Sequence, residues 1–400
     1  MSPKDRTMNE ITALCKRRGF IFQSSEIYGG INALWDMGPL GVEMKNNIKD
    51  FWWKQIVQLR FDVEGLDSSI LMHPRIWEAS GHIEEFTDPL IECRNCHRRF
   101  RSDEINKERC PVCGNAELTE PKMFNLMFKT FIGPVESEEN TIYLRPETAQ
   151  GIYVNYQNVM VATRQKIPFG IAQIGKAFRN EISPGNFIFR SREFEQMEMQ
   201  YFVHPHQAEK WFEYWRKKRW EWYLALGIDE TKIHWHKHGA DELAHYAKDA
   251  YDIEFDFPFG RKELEGIHNR GDFDLSRHQE YSSKNMQYTD NVSGEKYLPY
   301  IIETSGGVDR CMLALLVDSY CEEPEQKDSN KMRRVLKMHP IISPIKVGVF
   351  PLVKKDGMPE MATEIAQQLK KDFMVFYDEK DSIGRRYRRQ DEAGTPFCVT

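Results

Sequence analysis

The sequence has no apolar run long enough for a bilayer. Its longest, such as Cys311–Val317, fall far short of the roughly 18–20 residues a spanning helix needs, which excludes a helical membrane protein. The opening Met1-Ser2-Pro3-Lys4-Asp5-Arg6 leads into no apolar core, so secretion is not signalled and a cytoplasmic location is expected. There is no excess of positive charge: 55 basic against 61 acidic side chains leave −6. Proteins that coat nucleic acid non-specifically are basic, so any such partner must meet local basic patches. A GxxxxGK[ST] phosphate loop, an HExxH helix, internal repeats and low-complexity tracts are all missing. What remains is a globular composition: 24 Phe, 16 Tyr and 9 Trp exceed what a disordered chain carries. A length of 400 residues calls for two or three folded units.

The eight cysteines separate into one tight set and four singles. Cys93-x2-Cys96 and Cys110-x2-Cys113 form paired knuckles thirteen residues apart. Two CxxC turns close a four-thiolate site suited to Zn2+. The polar stretch His97-Arg98-Arg99-Phe100-Arg101 cannot make a core, so a metal would supply the folding free energy. Disulfides would need an oxidising compartment, of which there is no sign. His97 is not needed as a ligand. Cys15, Cys311, Cys321 and Cys398 read as small buried hydrophobes.

Along the chain, Asn9–Arg18 reads as a helix. A second opens at Gly38-Pro39, with Val42, Met44, Ile48, Phe51, Trp52 and Ile56 at helical spacing. Phe61–Met72 turns strand-like and stops at Pro74, and the cysteine module follows at 91–120 as an insertion. Phe169–Glu181 and Ser191–Val203 read as antiparallel strands joined by a loop holding Ser183-Pro184-Gly185-Asn186. Alternation places Phe194, Gln196, Glu198 and Gln200 on one face, and Gln173, Gly175, Ala177, Arg179 and Glu181 on another. Those faces are polar, as a ligand site would be. Glu209–Leu226 is an aromatic-rich packing helix, and Ser305-Gly306-Gly307 reads as a turn feeding a helix from Val308. Beyond a boundary at Pro340–Pro351, a β-α-β pattern begins.

Three segments then stand together: Trp77-Glu78-Ala79-Ser80-Gly81-His82 after Pro74; Phe178-Arg179-Asn180-Glu181 followed by Phe189-Arg190-Ser191-Arg192-Glu193-Phe194; and Glu303-Thr304-Ser305-Gly306-Gly307-Val308-Asp309-Arg310. They resemble motifs 1, 2 and 3 of the class II aminoacyl-tRNA synthetases. Leu144-Arg145-Pro146-Glu147-Thr148-Ala149-Gln150-Gly151 and Phe194-Glu195-Gln196-Met197-Glu198 look like the homodimeric glycyl-tRNA synthetase family, and the resemblance runs from about Thr12 to Thr400.

The resemblance implies an α+β fold. A class II antiparallel sheet of six or seven strands, flanked by helices, would occupy 1–340, with the zinc ribbon at 91–120 inside it. A C-terminal α/β anticodon-binding domain would begin at 345. Only about 55 residues of it precede Thr400, where a complete domain needs roughly 100, so a partial domain is expected. It implies a homodimer through motif 1, and the partners glycine, ATP and tRNA-Gly. Glycine and ATP would give glycyl-adenylate and pyrophosphate, and the glycyl group would pass to the terminal adenosine of the tRNA.

By the same resemblance, Arg179 would hold the α-phosphate and the glycine carboxylate, and Glu181 the adenine amino group. Phe194 would stack on adenine, with Arg310 on its other face or at the γ-phosphate. Asn180, Phe189, Arg190, Ser191, Arg192, Glu193, Leu264, Gly307, Val308 and Asp309 complete the implied ATP site. Glu263 and Glu303 would bind Mg2+ together with the phosphates. Glu147, Glu198 and Glu303 would take the glycine ammonium, with Arg101, Phe194, Glu195, Gln196, Met197, Thr304, Ser305, Gly306 and Gly307 completing the amino-acid site. Such carboxylates would repel one another and raise each other's pKa. One excluded methyl in a soft pocket is worth only about 1–3 kcal/mol, so the 303–307 segment should be a rigid wall against alanine. Thr304 and Gly306 depart slightly from the family's motif 3. The alternative, a non-catalytic synthetase-like nucleic-acid-binding accessory subunit, has no need of Arg179, Glu181, Phe194, Glu263 and Arg310 together.

Overall fold

The computed structural model of the chain describes residues 3–239, 241–244, 247–325 and 331–400; Met1 and Ser2, which head the segment read as carrying no apolar leader, lie outside them. Seven strands make the central sheet: β1 Val63–Gly65, β2 Phe169–Phe178, β3 Glu193–Val203, β4 Ile233–Lys237, β5 Asp249–Phe257, β6 Gly260–Gly271 and β7 Tyr300–Gly307. Their spatial order is β4-β5-β6-β7-β3-β2-β1. Every pairing is antiparallel except β1 on β2, so the expected antiparallel sheet carries one parallel edge.

The two faces of this sheet meet different fates. On one, helices α1 (Pro3–Arg18), α2 (Pro39–Trp53), α4 (Ala208–Ala225) and α6 (Val308–Ser319) pack against Met197, Met199, Tyr201, Phe255, Ile267 and Ile302 in the main core. Pro39 sits at the first turn of α2, where a missing N–H costs nothing. In α4, Phe212, Trp215 and Trp222 are buried along one stripe, which agrees with its reading as a packing helix. On the opposite face, α3 (Ala149–Thr163) and α5 (Phe273–Ser282) bury Ile152, Tyr153, Tyr156 and Leu275 against Phe169, Ile171, Phe202 and Ile301. That cover stops short of the β3, β6 and β7 ends, and the polar side chains there line an open cleft.

Three sequence expectations need correction. The first central strand ends at Phe178, so Arg179 and Glu181 stand on the loop beyond it. Ser305-Gly306-Gly307 is not a turn: these residues finish β7, Ser305 paired with Glu198 and Gly307 with Gln196, and the strand runs straight into α6. Sheet pairing satisfies the backbone groups that two glycines would otherwise leave free to bend. Of the four single cysteines, Cys15 and Cys311 are buried, whereas Cys321 and Cys398 are half-buried in short edge strands.

Beyond the core, strands Thr87–Glu92, Arg99–Arg101 and Lys122–Asn125 form a small antiparallel sheet that carries the cysteine knuckles. At the C-terminal end, Val375–Tyr377, Val347–Val349 and Phe397–Val399 form a parallel sheet, with α7 (Met358–Leu369) and α8 (Ile383–Ala393) completing it. It is tied back to the large unit by ion pairs: Glu392 with Arg17 at 3.1 Å and Arg18 at 2.6 Å, and Asp391 with Arg333 at 3.0 Å.

Candidate active site

The cleft has a volume of about 290 Å³ and opens on the face that α3 and α5 leave uncovered. Strand alternation points Phe194, Gln196 and Glu198 from β3, and Glu303, Ser305 and Gly307 from β7, into it. In β6 a bulge sets the phase. Glu254 pairs with Glu263 and Ile253 with Glu265, so Leu264 is the extra residue. Glu263 therefore faces the cleft, while Glu265 passes to the core side and pairs with buried Arg219 at 2.5 Å. Gly266, His268 and Arg270 follow on the cleft side. A Cβ on Gly266 would lie 2.5 Å from the His268 ring, so only glycine leaves that imidazole its place.

The deep end is a closed charge network. Glu198 is buried; its Oε1 accepts from Gln200 at 3.0 Å and its Oε2 from the Thr148 hydroxyl. Glu303 Oε2 accepts from Arg270 at 3.1 Å and Gln200 at 2.8 Å, and its Oε1 lies 2.9 Å from His268 Nδ1. Arg270 is forked onto buried Asp274 at 2.7 and 3.0 Å. Glu147 lies 3.4 Å from His82 Nε2, and its Oε1 accepts from Gln150 at 3.0 Å. Burial and the charges of Glu303 and Glu147 push the Glu198 carboxyl well above its ordinary range. Burial works the same way on Glu147, but His82 and Arg270 hold it down at about 2. Glu303, desolvated too, is likewise held low, by Arg270 and His268. The three carboxylates thus do not simply raise one another. Neighbouring cations keep two ionised and leave the third to carry the repulsion.

The shallow end is held by rings and backbone. The Arg179 guanidinium lies between Phe86 and Phe194, 5.3 Å from each ring centre, with its Nε donating to the Pro146 carbonyl at 3.0 Å. Arg310 covers Phe189 at 4.5 Å and reaches the Glu263 carboxylate at 3.1 Å. Glu181 is buried nearby, and burial raises its pKa. Basic groups at one end and carboxylates at the other suit a substrate pair in which an anion meets an ammonium.

Comparison with known proteins identifies the family. Residues 130–320 match the family described as tRNA synthetase class II core domain (G, H, P, S and T), and residues 346–400 match an anticodon binding domain. A glycine–tRNA ligase of Treponema denticola is 60% identical over 98% of this chain and 89% of its own length. Those of Borreliella burgdorferi and Treponema pallidum are 54% and 50% identical, covering 89% and 91% of their lengths. The chain belongs to the glycine–tRNA ligase family. A prolyl-tRNA synthetase of Giardia lamblia, solved with prolyl-adenylate, superposes with a TM-score of 0.70 at 16% identity over 98% of this chain and 69% of that one, and shares the fold.

Against the site expected for a glycine–tRNA ligase, the structure brings most residues together and turns several away. Arg179, Glu181, Phe189, Arg190, Ser191, Phe194, Glu263, Gly307, Asp309 and Arg310 line the cleft, as do Glu147, Gln196, Glu198, Glu303 and Ser305. Glu195 and Met197 alternate to the opposite face, where Glu195 pairs with Lys45 and Lys49 and Met197 is in the core. Thr304, Leu264 and Val308 are buried beneath the sheet, and Gly306 backs onto Glu265. Glu193 pairs with Lys176, and Arg192 donates to the Asn32 carbonyl, both outside the cleft wall. Asn180 is fixed through its backbone N–H to the Leu126 carbonyl at 2.7 Å and does not line the cleft. Arg101 also misses the wall, being spent on Asp88 at 3.1 Å and Asp103 at 2.7 Å. Glu303 has both oxygens engaged by protein groups and sits among the deep carboxylates, so it does not fit as a metal ligand. Glu263, more exposed at the cleft mouth, does.

The sequence reading did not single out His82, Gln150, His238, Asp252, His268, Arg270 and Asp274, whereas Gln200 lies on the polar face of β3 that alternation marks. Gly266, His268 and Arg270 alternate along one strand just as 194–198 do, and that signal was available.

The cysteines converge as their spacing predicts. All four sulfurs lie within 4.8 Å of one another, with Cys93–Cys113 at 3.6 Å and Cys96–Cys110 at 3.7 Å. Zn–S bonds of roughly 2.3 Å in a tetrahedron require edges of about 3.8 Å, so the donor set fits zinc. His97 turns outward to Glu92 at 3.2 Å.

Proposed function

We propose that this cleft carries out both half-reactions of a glycine–tRNA ligase: ATP and glycine give glycyl-adenylate and pyrophosphate, and the glycyl group passes to the 3′-terminal adenosine of tRNA-Gly. The observation that carries the reading is the polarity of the cleft, with Arg179 and Arg310 at one end and, at the other, the buried carboxylates Glu198 and Glu303 beside the half-buried Glu147. Glycine lies between, its ammonium toward Glu147, Glu198 and Glu303 and its carboxylate toward Arg179. A carboxylate attacking the α-phosphorus needs alignment and charge neutralisation more than covalent help. Arg179 neutralises the α-phosphate, Phe194 takes adenine once the Arg179 guanidinium moves off its face, and Glu181 accepts from the adenine amino group. Arg310 neutralises the departing pyrophosphate. Mg2+ would be held by Glu263 with the phosphates, supplying further charge neutralisation there.

Three assignments accompany this reading. Zn2+ on Cys93, Cys96, Cys110 and Cys113 holds the 91–120 ribbon folded, the catalytic unit spans 1–340, and the unit from 345 to 400 belongs to anticodon binding. The protein works as a cytoplasmic homodimer joined through the segment that includes Trp77–His82. Rejection of alanine rests on the strand-held Glu303–Gly307 floor and the charge network beneath it.

Amino-acid-dependent ATP–pyrophosphate exchange tests the reading. Exchange with glycine and not with alanine or serine is expected. No exchange from folded, zinc-loaded protein would overturn it.

A further inference from the structure

Of the three deep carboxylates, two are fixed by the sheet: Glu198 stands on β3 and Glu303 on β7. Glu147 has no strand beneath it. It lies on the loop between Thr141–Leu144 and α3, and a glutamate on such a loop has several rotamers open to it unless neighbours choose one. Gln150 holds one oxygen, donating to Oε1 at 3.0 Å. The other faces His82 Nε2 at 3.4 Å.

His82 is itself closely held. Gly81 takes a left-handed φ of 81°, which turns the chain back so that the imidazole packs edge-on against Trp77 at 5.5 Å and beside Phe86 at 5.3 Å. The Asn125 side chain donates to the carbonyls of His82 and Ile83, both at 2.9 Å. Ser80, buried, places its Oγ 2.7 Å from His82 Nδ1 and 3.4 Å from the Trp77 carbonyl. This hydroxyl serves either charge state of the ring. With neutral imidazole it donates to Nδ1, leaving the proton on Nε2. With imidazolium it accepts from Nδ1–H and turns its own proton to Trp77. In both cases the Nε2 proton is kept on the side of Glu147, 3.4 Å from its carboxylate.

We infer that His82, its tautomer set by Ser80, is a positioning residue for amino-acid activation, holding the loop-borne Glu147 in the rotamer that receives the glycine ammonium. The inference rests on the glycine-activating reading of the cleft. Through Phe86, which lies under Arg179, the same short segment also borders the nucleotide end, while the contact of His82 itself is with Glu147 at the glycine end.

The test is ATP–pyrophosphate exchange by the full chain, with glycine and ATP titrated separately, for wild type, His82→Asn and His82→Gln. The amide of Asn reaches the Nδ1 position and can still bond Ser80, but stops short of Glu147; the amide of Gln reaches the Nε2 position. His82→Asn is expected to raise the glycine KM roughly tenfold or more while the ATP KM stays within about twofold, as loss of one hydrogen bond to a charged group predicts. His82→Gln should recover most of that loss. Equal glycine KM values for the two variants, or an ATP KM that rises in step, would mean that the ring merely packs and would overturn the inference. If His82→Asn does not fold, Ser80→Ala replaces it: the glycine KM should rise severalfold at constant ATP KM, and an unchanged glycine KM overturns the inference. Absence of exchange in the wild type would instead defeat the glycine-activating reading, and the inference with it.

Discussion

The two ends of the cleft are built on opposite plans. At the deep end every carboxylate has protein partners, and the cation that matters most, Arg270, is buried and forked onto Asp274 before any substrate arrives. At the shallow end Arg179 rests on aromatic faces and one backbone carbonyl, and Arg310 on the Phe189 ring and the half-exposed Glu263 carboxylate, contacts that cost less to exchange for a phosphate than a buried fork does. The difference follows from what each end must do. Glycine has no side chain to recognise, so discrimination needs walls that do not yield, and a fully partnered ionic network in low dielectric yields little. A nucleotide brings its own charge and ring, so its end needs groups that can turn toward it.

The comparison breaks most directly at Arg270. Arg270→Met leaves Asp274 and Glu303 buried without their cation. Loss of one partner from a buried pair costs about 3–5 kcal/mol, and urea unfolding should show a loss of that order. Glycine-dependent exchange should be lost with it, even under conditions where the variant remains folded. A variant of wild-type stability would mean that the deep network is not what keeps this end rigid.

Zinc removal addresses the other end. The cysteine ribbon touches the cleft only indirectly: Glu104 pairs with Arg190 at 2.7 Å, and the Arg101 N–H donates to Ser183 Oγ at 3.3 Å, both in the loop between β2 and β3. Chelation should unfold the ribbon and free that loop, raising the ATP KM about tenfold while the glycine KM moves less than about threefold. Steady-state exchange before and after chelation, with zinc added back, measures both. Equal rises in the two constants would erase the division between the ends.

How much of this was legible beforehand follows the same division. Phe194, Gln196 and Glu198 stand out because polar residues at every second position of a strand announce a wetted face. The two strands beside the cleft and the ribbon were readable on such local grounds, whereas the full sheet and the roles of Arg179 and Arg310 came from the resemblance to the class II synthetases. Glu195 and Met197 were swept into the site with them although the alternation already placed them behind it. The deep network was not readable as a network. Arg270 and Asp274 are only four residues apart, but the other members come from separate segments, and nothing local tells Arg270 that Glu303 is its partner, or His82 that Glu147 is. The bulge at Leu264, which separates Glu263 from Glu265, leaves no mark in the sequence either. Ser305–Gly307 misled for a related reason. Two glycines favour a turn in isolation, and only the pairing with Gln196 and Glu198 makes them strand.

The smallest effect sharpens the contrast furthest. Glu198 is the one deep carboxylate whose pKa is raised, by burial first and by Glu303 and Glu147 next. A carboxyl with a raised pKa keeps its proton as the pH climbs past its ordinary range, so the free enzyme holds a proton on Glu198 to higher pH than an ordinary carboxyl would. An arriving ammonium offsets the charges of Glu147 and Glu303 and favours the ionised form, so the proton must leave. Glycine binding should then release a fraction of a proton. Titration calorimetry in buffers of differing ionisation enthalpy reads this as a buffer-dependent heat. The released fraction should fall as the pH rises, because less of Glu198 is protonated to begin with, and Glu198→Gln should abolish it. Binding heats that are identical in every buffer would place the proton elsewhere and leave Glu198 ionised from the start. ATP binding at the shallow end, where the raised carboxyl of Glu181 meets an uncharged adenine amino group rather than an ammonium, should show a weaker buffer dependence.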